Sequence, residues 1–198
     1  MQTAIHGLGK PTVPMKSSDG HLLFRFEAEL NVIPIGVTPE GLRMANSYEG
    51  LATEGDFNGA RVWGTDHLLL RRDGVCVIDA QTILSQTAHV HVYEHVRGYC
   101  LPPAGLQIPP LETLLEPGFE WPDADFPIVA SSTFRAAAPE FEYLNSATAR
   151  IDGWANFATG GLAIETRLVS HNAGALRPGA PASVRLMSAE IDQEEQAV

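Results

Sequence analysis

The sequence predicts an all-β protein, folded as a small antiparallel barrel or sandwich, and three observations support this fold class. About nine or ten short segments alternate apolar and polar residues at the two-residue period of a β-strand. Turn-forming pairs such as Asp73-Gly74 separate these segments at hairpin spacing. Only one short helix is predicted, at residues 111–116, and it ends at Pro117-Gly118. Since strands do not alternate with helices, a parallel α/β sheet is excluded.

The chain of 198 residues, 44% of them hydrophobic, is long enough for one domain with a packed core. We expect an N-terminal arm at residues 1–20, where Gly, Pro, Lys and Ser occur without periodicity, and a β-barrel domain at residues 21–169. Residues 170–198 are expected to form a C-terminal tail with a Glu-rich end. Within this tail, residues 182–191 are a candidate for docking on another subunit, so the sequence leaves a homo-oligomer open.

The net charge and the hydropathy pattern exclude several classes of partner. With a formal net charge of −11 and no cluster of Lys and Arg, the chain is not expected to bind nucleic acid or an anionic membrane. No segment approaches the ~20 apolar residues of a membrane span, and Met1–His6 lacks the basic and apolar regions of a signal peptide. We therefore expect a cytoplasmic protein. Cys76 and Cys100 are too few for a disulfide scaffold and are predicted to be reduced packing residues.

The first strand shows the clearest alternation. Residues 21–32 place Phe24, Phe26 and their apolar neighbours on one face and Arg25 and Glu27 on the other. Residues 34–59 are rich in Gly, Pro, Asn and Thr and are expected to be mostly loop with short strands. Further strands are predicted at 60–64, 66–71, 75–84, 89–97, 128–135, 140–151 and 161–169, and residues 119–127 are expected to form an ordered loop over a cavity rim.

The strand at residues 89–97 is the main candidate for chemistry. Its two faces consist of His89, His91, Tyr93, His95 and Arg97 on one side and of Val90, Val92, Glu94 and Val96 on the other. In one interpretation the valines face the core and the histidines face water. In the other, the His/Tyr face lines a barrel cavity, where imidazoles of pKa ~6.5 exchange protons with a ligand. The sequence leaves both interpretations open.

The sequence lacks the motifs of several other classes of enzyme. The chain has no GxGxxG after a strand and no GxxxxGK[ST], GxSxG or HExxH, so nucleotide-binding, α/β-hydrolase and zincin classes lack support. His89-x-His91 resembles half of a cupin metal site, but Glu94 projects from the opposite face and no suitable downstream His follows. We therefore predict no metal. Asp79 lies among apolar neighbours on its strand, which makes it a candidate group with a shifted pKa or a turn-bonding aspartate.

Four features of residues 21–169 occur in combination. They are the opening strand Leu22–Leu30, the hairpin Asp73-Gly74-Val75 leading into Asp79-Ala80, the strand from Tyr93 to Arg97-Gly98, and the motif Tyr143-Leu144-Asn145. In this combination the chain resembles a bacterial and fungal family known as domain of unknown function 3237, or UPF0311. Where this chain has Asp79-Ala80-Gln81-Thr82, family members typically have Asp-Ala-Arg-Tyr, so the expected lining lacks a charge and a phenol.

The resemblance implies a closed or nearly closed, calycin-like β-barrel with a central cavity and an activity that needs no cofactor. Relatives with an assigned role act on phenolic compounds through a phenolate or quinone methide. Bacterial ones remove a one-carbon group from lignin-derived phenylcoumarans to give stilbenes, and fungal ones close oxygen heterocycles on prenylated phenols.

We therefore predict a cofactor-independent carbon–carbon lyase that acts on a phenylcoumaran-type phenolic dimer and removes carboxylate or formaldehyde. The alternatives are a barrel that only binds a small aromatic ligand, and an isomerase or cyclase on a phenolic substrate. The predicted catalytic residues are His91, Tyr93, His89 and Asp79. The predicted substrate-binding residues are Arg25, Glu27, Trp63, His95, Arg97 and Asn145.

Overall fold

The computed structural model describes residues 20–170 and confirms the predicted fold class, an antiparallel β-barrel. Eight strands form one closed sheet in which each strand pairs with the next and β1 pairs with β8. The strands are β1 (His21–Thr38), β2 (Gly41–Glu54), β3 (Arg61–Leu70), β4 (Cys76–Ser85), β5 (His91–Cys100), β6 (Phe126–Ala136), β7 (Thr148–Asn156) and β8 (Gly161–Ser170). Two short 3₁₀ helices, η1 (Thr113–Leu115) and η2 (Pro139–Ser146), lie between strands. The expected arm and tail, with the docking candidate at 182–191, lie outside the described residues.

Alternation of inward and outward side chains along the strands separates the interior of the barrel from its outer wall. On β3, for example, buried and exposed residues alternate from Arg61 to Leu68 without interruption. The apolar face predicted for β1, with Phe24 and Phe26, is buried as expected. Because closure leaves no sheet edge within the barrel, backbone hydrogen bonds are satisfied between strands and the interior is free to be mostly apolar.

Two expectations about the elements are corrected. Residues 34–59 are not mostly loop, because β1 continues to Thr38 and β2 is a strand of 14 residues. Its inward positions, which include Leu42, Met44 and Tyr48, alternate well enough to pair despite the Gly and Asn content. The strand expected at 140–151 starts only at Thr148, because residues 139–146 form η2 with Pro139 at its first turn.

Aromatic side chains occupy both ends of the barrel. At one end the rings of Phe57 and Phe141 stack at 4.7 Å between centroids, and Phe24 meets Phe57 edge to face. At the other end Trp121 packs on Phe157 at 4.9 Å, so the loop before β6 lies over the β7–β8 turn. The first end is plugged by fixed packing, and the second is covered by a loop.

A buried ion cluster joins β1 to β8 at the closure of the sheet. The Glu165 carboxylate is only 2% exposed and accepts hydrogen bonds from Arg25 Nε at 2.6 Å and from Arg167 Nε. Burial alone would raise the pKa of Glu165, but the hydrogen bonds from Arg167 and Arg25 outweigh it, so the pKa lies below its usual value. This cluster occupies the outer wall, where Arg25 also pairs with Glu54.

Replacing Glu165 with Gln should lower the free energy of unfolding by roughly 2–3 kcal/mol at pH 7, because two guanidinium groups lose a buried partner. Since the folded-state pKa is depressed, this contribution is present above the unfolded pKa of ~4.3 and is lost as the pH falls. Urea unfolding at pH 7 and near pH 3.5 should therefore show a smaller gap between variant and wild type at the lower pH. The matched control is Glu29→Gln on the exposed face of β1. An equal gap at both pH values would contradict the assignment.

Candidate active site in the barrel interior

The interior of the barrel encloses a cavity between the strands. Its centre leaves about 70 Å³ for the centres of water molecules, and the whole space between the lining atoms, including the open mouth, is about 620 Å³. Most of the lining is apolar, with Phe26 and Phe157 as its aromatic members. Its polar members are Asn46, Tyr48, Asp66, Thr82 and Glu94. An apolar cavity with a few convergent polar groups is the usual form of a small-molecule site.

One row of residues across the sheet brings three of these polar groups together. Tyr48 on β2 is paired with Gly64, Gly64 with Thr82, and Thr82 with Glu94. A Cβ atom at position 64 would lie 2.7 Å from the Tyr48 hydroxyl oxygen, so only glycine leaves room for the ring. The ring therefore crosses β3, and its hydroxyl makes a 2.8 Å hydrogen bond with the Thr82 hydroxyl on β4.

Asp66 occupies the neighbouring row, opposite Asn46. Its side chain is 8% exposed, and its Oδ1 accepts a hydrogen bond from the backbone N–H of Asp79 at 3.0 Å. The pairing of β3 with β4 is interrupted here, between the pairs Asp66↔Ala80 and Leu69↔Val77. The N–H of Asp79 therefore bonds to a side chain. Burial raises the pKa of Asp66 to about 6, although this hydrogen bond acts in the opposite direction.

Glu94 is the most deeply buried acid of the cavity, at 2% exposure. Burial raises the pKa of Glu94 to about 7; the nearby Ser132 hydroxyl favours the charged form and offsets part of the shift. No hydrogen bond of normal geometry links the two, and Glu94 Oε1 has no partner among the described residues. An unpaired carboxyl group of this kind is costly to bury, and such groups are concentrated at functional sites.

These side chains can transfer protons near neutral pH. At pH 7 an acid of pKa about 6 is mostly ionised, while one of pKa about 7 is half protonated. Asp66 is therefore the better base of the two and Glu94 the better acid. Burial, together with the Glu94 and Asp66 carboxyl groups, raises the pKa of Tyr48 despite its bond to Thr82, so the Tyr48 hydroxyl stays a neutral hydrogen-bonding group.

The sequence-predicted catalytic face lies on the outer wall, so the expectation that it lines the cavity is wrong. On β5 the inward residues are Val92, Glu94 and Val96. His91 is exposed and its Nδ1 lies 3.0 Å from Ser85 Oγ, Tyr93 is half-buried between neighbours on the outer wall, and His89 precedes the strand in an exposed turn.

Asp79, His95 and Arg97 form a cluster on the same outer wall. His95 Nε2 lies 2.6 Å from Asp79 Oδ1, and Arg97 Nε lies 3.9 Å from the same oxygen. The hydrogen bond with His95 is the main cause that holds the pKa of Asp79 below its usual value. The cluster is brought together by pairing of β4 with β5, but it does not reach the cavity.

The remaining predicted substrate-binding residues also lie outside the cavity. Arg25 belongs to the Glu165 cluster, Glu27 is exposed on β1, and Trp63 is exposed on β3, where it lines a separate, open groove. Asn145 in η2 exchanges two 2.8 Å hydrogen bonds with the backbone of Ala136 and so fixes the end of β6. None of the ten predicted residues is among the described residues that line the cavity.

Sequence reasoning missed Asn46, Tyr48, Asp66 and Glu94, although a signal for two of them was present. Glu94 interrupts a row of valines and Asp66 shares a face with Leu68 and Leu70. A polar residue on an otherwise apolar face is more informative than a cluster of polar residues on a polar face. Tyr48 and Asn46 lie in the region expected to be loop, so no face could be assigned to them.

Comparison with solved structures supports the fold. The barrel is similar to a protein of unknown function from Clostridium acetobutylicum (TM-score 0.58, 15% identity, covering 77% of this chain and 100% of that chain). It is also similar to a β-barrel-like protein from Acinetobacter baumannii (0.57, 20%, 79% and 100%) and to a conserved protein of unknown function from Rhodopseudomonas palustris (0.55, 17%, 79% and 100%). No protein-family model and no curated protein matches the chain. At these identities the similarity extends to the fold alone.

Two further structural findings concern residues 20–170. Within this range no helix is long and apolar enough to cross a membrane, and no three His, Cys, Asp or Glu side chains are grouped as they would be around a metal ion. Cys76 and Cys100 are buried free thiols. They occupy opposite positions on the neighbouring strands β4 and β5.

Glu94 should make the stability of the protein depend on pH between its unfolded pKa of ~4.3 and its folded pKa of about 7. A raised folded-state pKa means that its contribution is fully present below the unfolded value of ~4.3 and is lost as the pH rises through about 7. Wild-type protein should lose about 3 kcal/mol from this group between pH 5 and pH 8. The glutamine of the Glu94→Gln variant cannot ionise, so the free energy of unfolding of this variant should fall correspondingly less. Urea unfolding at pH 5, 6.5 and 8 measures the difference. Parallel stability curves for the two proteins would show that Glu94 is not an isolated buried acid.

Proposed function

We propose that this protein is a cofactor-independent enzyme that performs acid–base chemistry on a small phenolic compound held inside the barrel. The observation that supports it is the presence of two buried carboxyl groups of raised pKa, Asp66 and Glu94, in one otherwise apolar cavity. The reaction we propose is carbon–carbon lysis of a phenylcoumaran-type dimer with loss of a one-carbon group. The phenolic substrate class comes from the family resemblance of residues 21–169.

Opening of the benzylic ether is the first step. Asp66, ionised, takes the proton of the phenol, and the electron pair of that O–H bond passes through the ring to form a quinone methide. The benzylic C–O bond breaks, and Glu94, protonated, donates its proton to the departing ether oxygen. One negative charge moves from Asp66 to Glu94, so the net charge of the cavity is unchanged. This matters because an apolar cavity strongly opposes the gain of an unpaired charge.

Loss of the one-carbon group is the second step. The bond between the neighbouring carbon and its one-carbon substituent breaks, and its electron pair forms the stilbene double bond. The ring regains aromaticity as the quinone oxygen takes back the proton held by Asp66. For a hydroxymethyl substituent, Glu94 takes the hydroxyl proton and formaldehyde leaves. For a carboxylate, carbon dioxide leaves and Glu94 must later take a proton from solvent.

The cavity separates the two acid–base groups by position as well as by pKa. Asp66 is on β3 and Glu94 on β5, so their backbones lie roughly 10 Å apart across the sheet, given a strand spacing of about 4.8 Å. Two groups that approach a ligand from different strands can act on different oxygen atoms of the same molecule. The Tyr48 hydroxyl and the Asn46 amide also line the cavity and are further hydrogen-bonding groups for a ligand.

Substitution of either carboxyl group should reduce turnover by ~10²–10⁴-fold, the usual contribution of a proton-transfer group. The assay incubates metal-stripped protein with phenylcoumaran dimers and follows stilbene absorbance for wild type, Glu94→Gln and Asp66→Asn. His91→Ala and Tyr93→Phe provide the comparison between the two faces of β5, and turnover in the cavity predicts that both remain active. If His91→Ala and Tyr93→Phe lose activity while Glu94→Gln keeps it, the active site lies on the outer wall and not in the cavity. Saturable binding without any product would favour a barrel that only binds its ligand.

The rate should depend on pH through both carboxyl groups. Ring opening requires ionised Asp66 and protonated Glu94, so kcat/KM should rise through about pH 6, fall through about pH 7 and have its maximum between them. Steady-state rates from pH 5 to pH 9 on wild type measure both limbs. A rate that rises steadily to pH 9 would indicate a base of higher pKa and would contradict these roles.

A further inference from the structure

The charge of the cavity lining restricts the ligand that can enter it. No Lys, Arg or His is among the described residues that line the cavity, whereas two acids, Asp66 and Glu94, are. Arg25 and Arg167, which are partly buried, are already paired with Glu165 on the outer wall. A carboxylate brought into this space would meet like charges and no counter-ion among the described lining residues, which strongly disfavours its burial.

The hydrogen-bonding capacity of the lining points to the same class of ligand. Glu94 Oε1 and Asn46 Oδ1 are buried, face the cavity and have no hydrogen-bond partner among the described residues. Asn46 is 4% exposed and Glu94 2%. Oxygen atoms of this kind accept hydrogen bonds, and a ligand hydroxyl would satisfy them, whereas a ligand carboxylate has no proton to donate.

We propose that the cavity selects uncharged, hydroxyl-bearing aromatic compounds and excludes carboxylates, so that the substrate of the protein is a phenolic alcohol rather than a phenolic acid. The consequence for the reaction rests on the proposed function. The one-carbon group then leaves as formaldehyde from a hydroxymethyl substituent, and not as carbon dioxide.

The proton balance of the reaction is consistent with this choice. With an alcohol, Glu94 regains its proton from the substrate hydroxyl and Asp66 returns its proton to the phenol, so both groups end each turnover as they began. The sum of the steps is substrate to stilbene plus formaldehyde, with no oxidant, reductant or net proton. A carboxylate substrate would consume one proton from solvent per turnover, at a carboxyl group that is almost fully buried.

Binding is tested with two ligands that cannot react, because they lack the benzylic ether. They are 3-(4-hydroxyphenyl)propan-1-ol and 3-(4-hydroxyphenyl)propanoate, which differ only in the terminal group. Calorimetry at pH 8 should show the alcohol binding at least ~10-fold more tightly, about 1.4 kcal/mol. Glu94→Gln removes one charge from the cavity and should narrow this ratio, whereas Glu29→Gln, which removes one charge from the outer wall, should leave it unchanged.

Turnover separates this inference from the proposed function. Phenylcoumaran dimers bearing either a hydroxymethyl or a carboxylate group are supplied to wild-type protein, and formaldehyde, carbon dioxide and stilbene are measured. Formaldehyde from the alcohol, with a lower rate for the acid, is the expected result. Preferential turnover of the acid would overturn the inference and leave the proposed lyase intact. Selective binding of the alcohol probe without turnover of either dimer would uphold the selectivity and overturn the lyase. Equal binding of the two probes, or binding of neither, would overturn the inference.

Discussion

Closure of the eight-stranded sheet is the constraint on which the remaining features of this protein depend. Once β1 pairs with β8, every second side chain of each strand points into a space that has no exit through the sheet. A shift of one residue in any strand would exchange all its inward and outward side chains. The pairing of Gly64 between Tyr48 and Thr82 illustrates the consequence, since the tyrosine ring can cross a strand only where that register places a glycine.

The closed sheet also decides how polar groups in the interior are satisfied. Backbone donors and acceptors are used between strands, so an inward polar side chain must find another side chain or displace a backbone bond. Tyr48 does the former with Thr82, and Asp66 does the latter with the N–H of Asp79. Glu94 Oε1 does neither. Burial of this carboxyl group disfavours its charged form and raises its pKa to about 7. The same lack of partners that disfavours its charge makes it available to a ligand.

Much of the fold could be predicted from alternation alone, and the exceptions have physical causes. The first strand, the hairpin at Asp73-Gly74 and the strand through Tyr93 follow from residues adjacent in the chain. The second strand was not recognised, because its two glycines and Asn46 have low strand propensity, and pairing with two neighbouring strands stabilises them. The first part of the strand expected at residues 140–151 instead belongs to the 3₁₀ helix η2, whose Phe141 turns inward to stack on Phe57.

The sequence by itself determined that the protein is built from antiparallel strands, and it determined which residues share a face of each strand. It did not determine which face is functional, since a period of two defines two faces and assigns neither to a ligand. The tertiary structure decided which face lines the cavity, because the sheet closes with the valines of β5 inward and leaves the histidines on the outer wall beside Asp79 and Ser85. It also brought Asn46, Asp66 and Glu94 to one cavity from three strands. No spacing in the sequence encodes that meeting, because it depends on the register of strands that are distant along the chain.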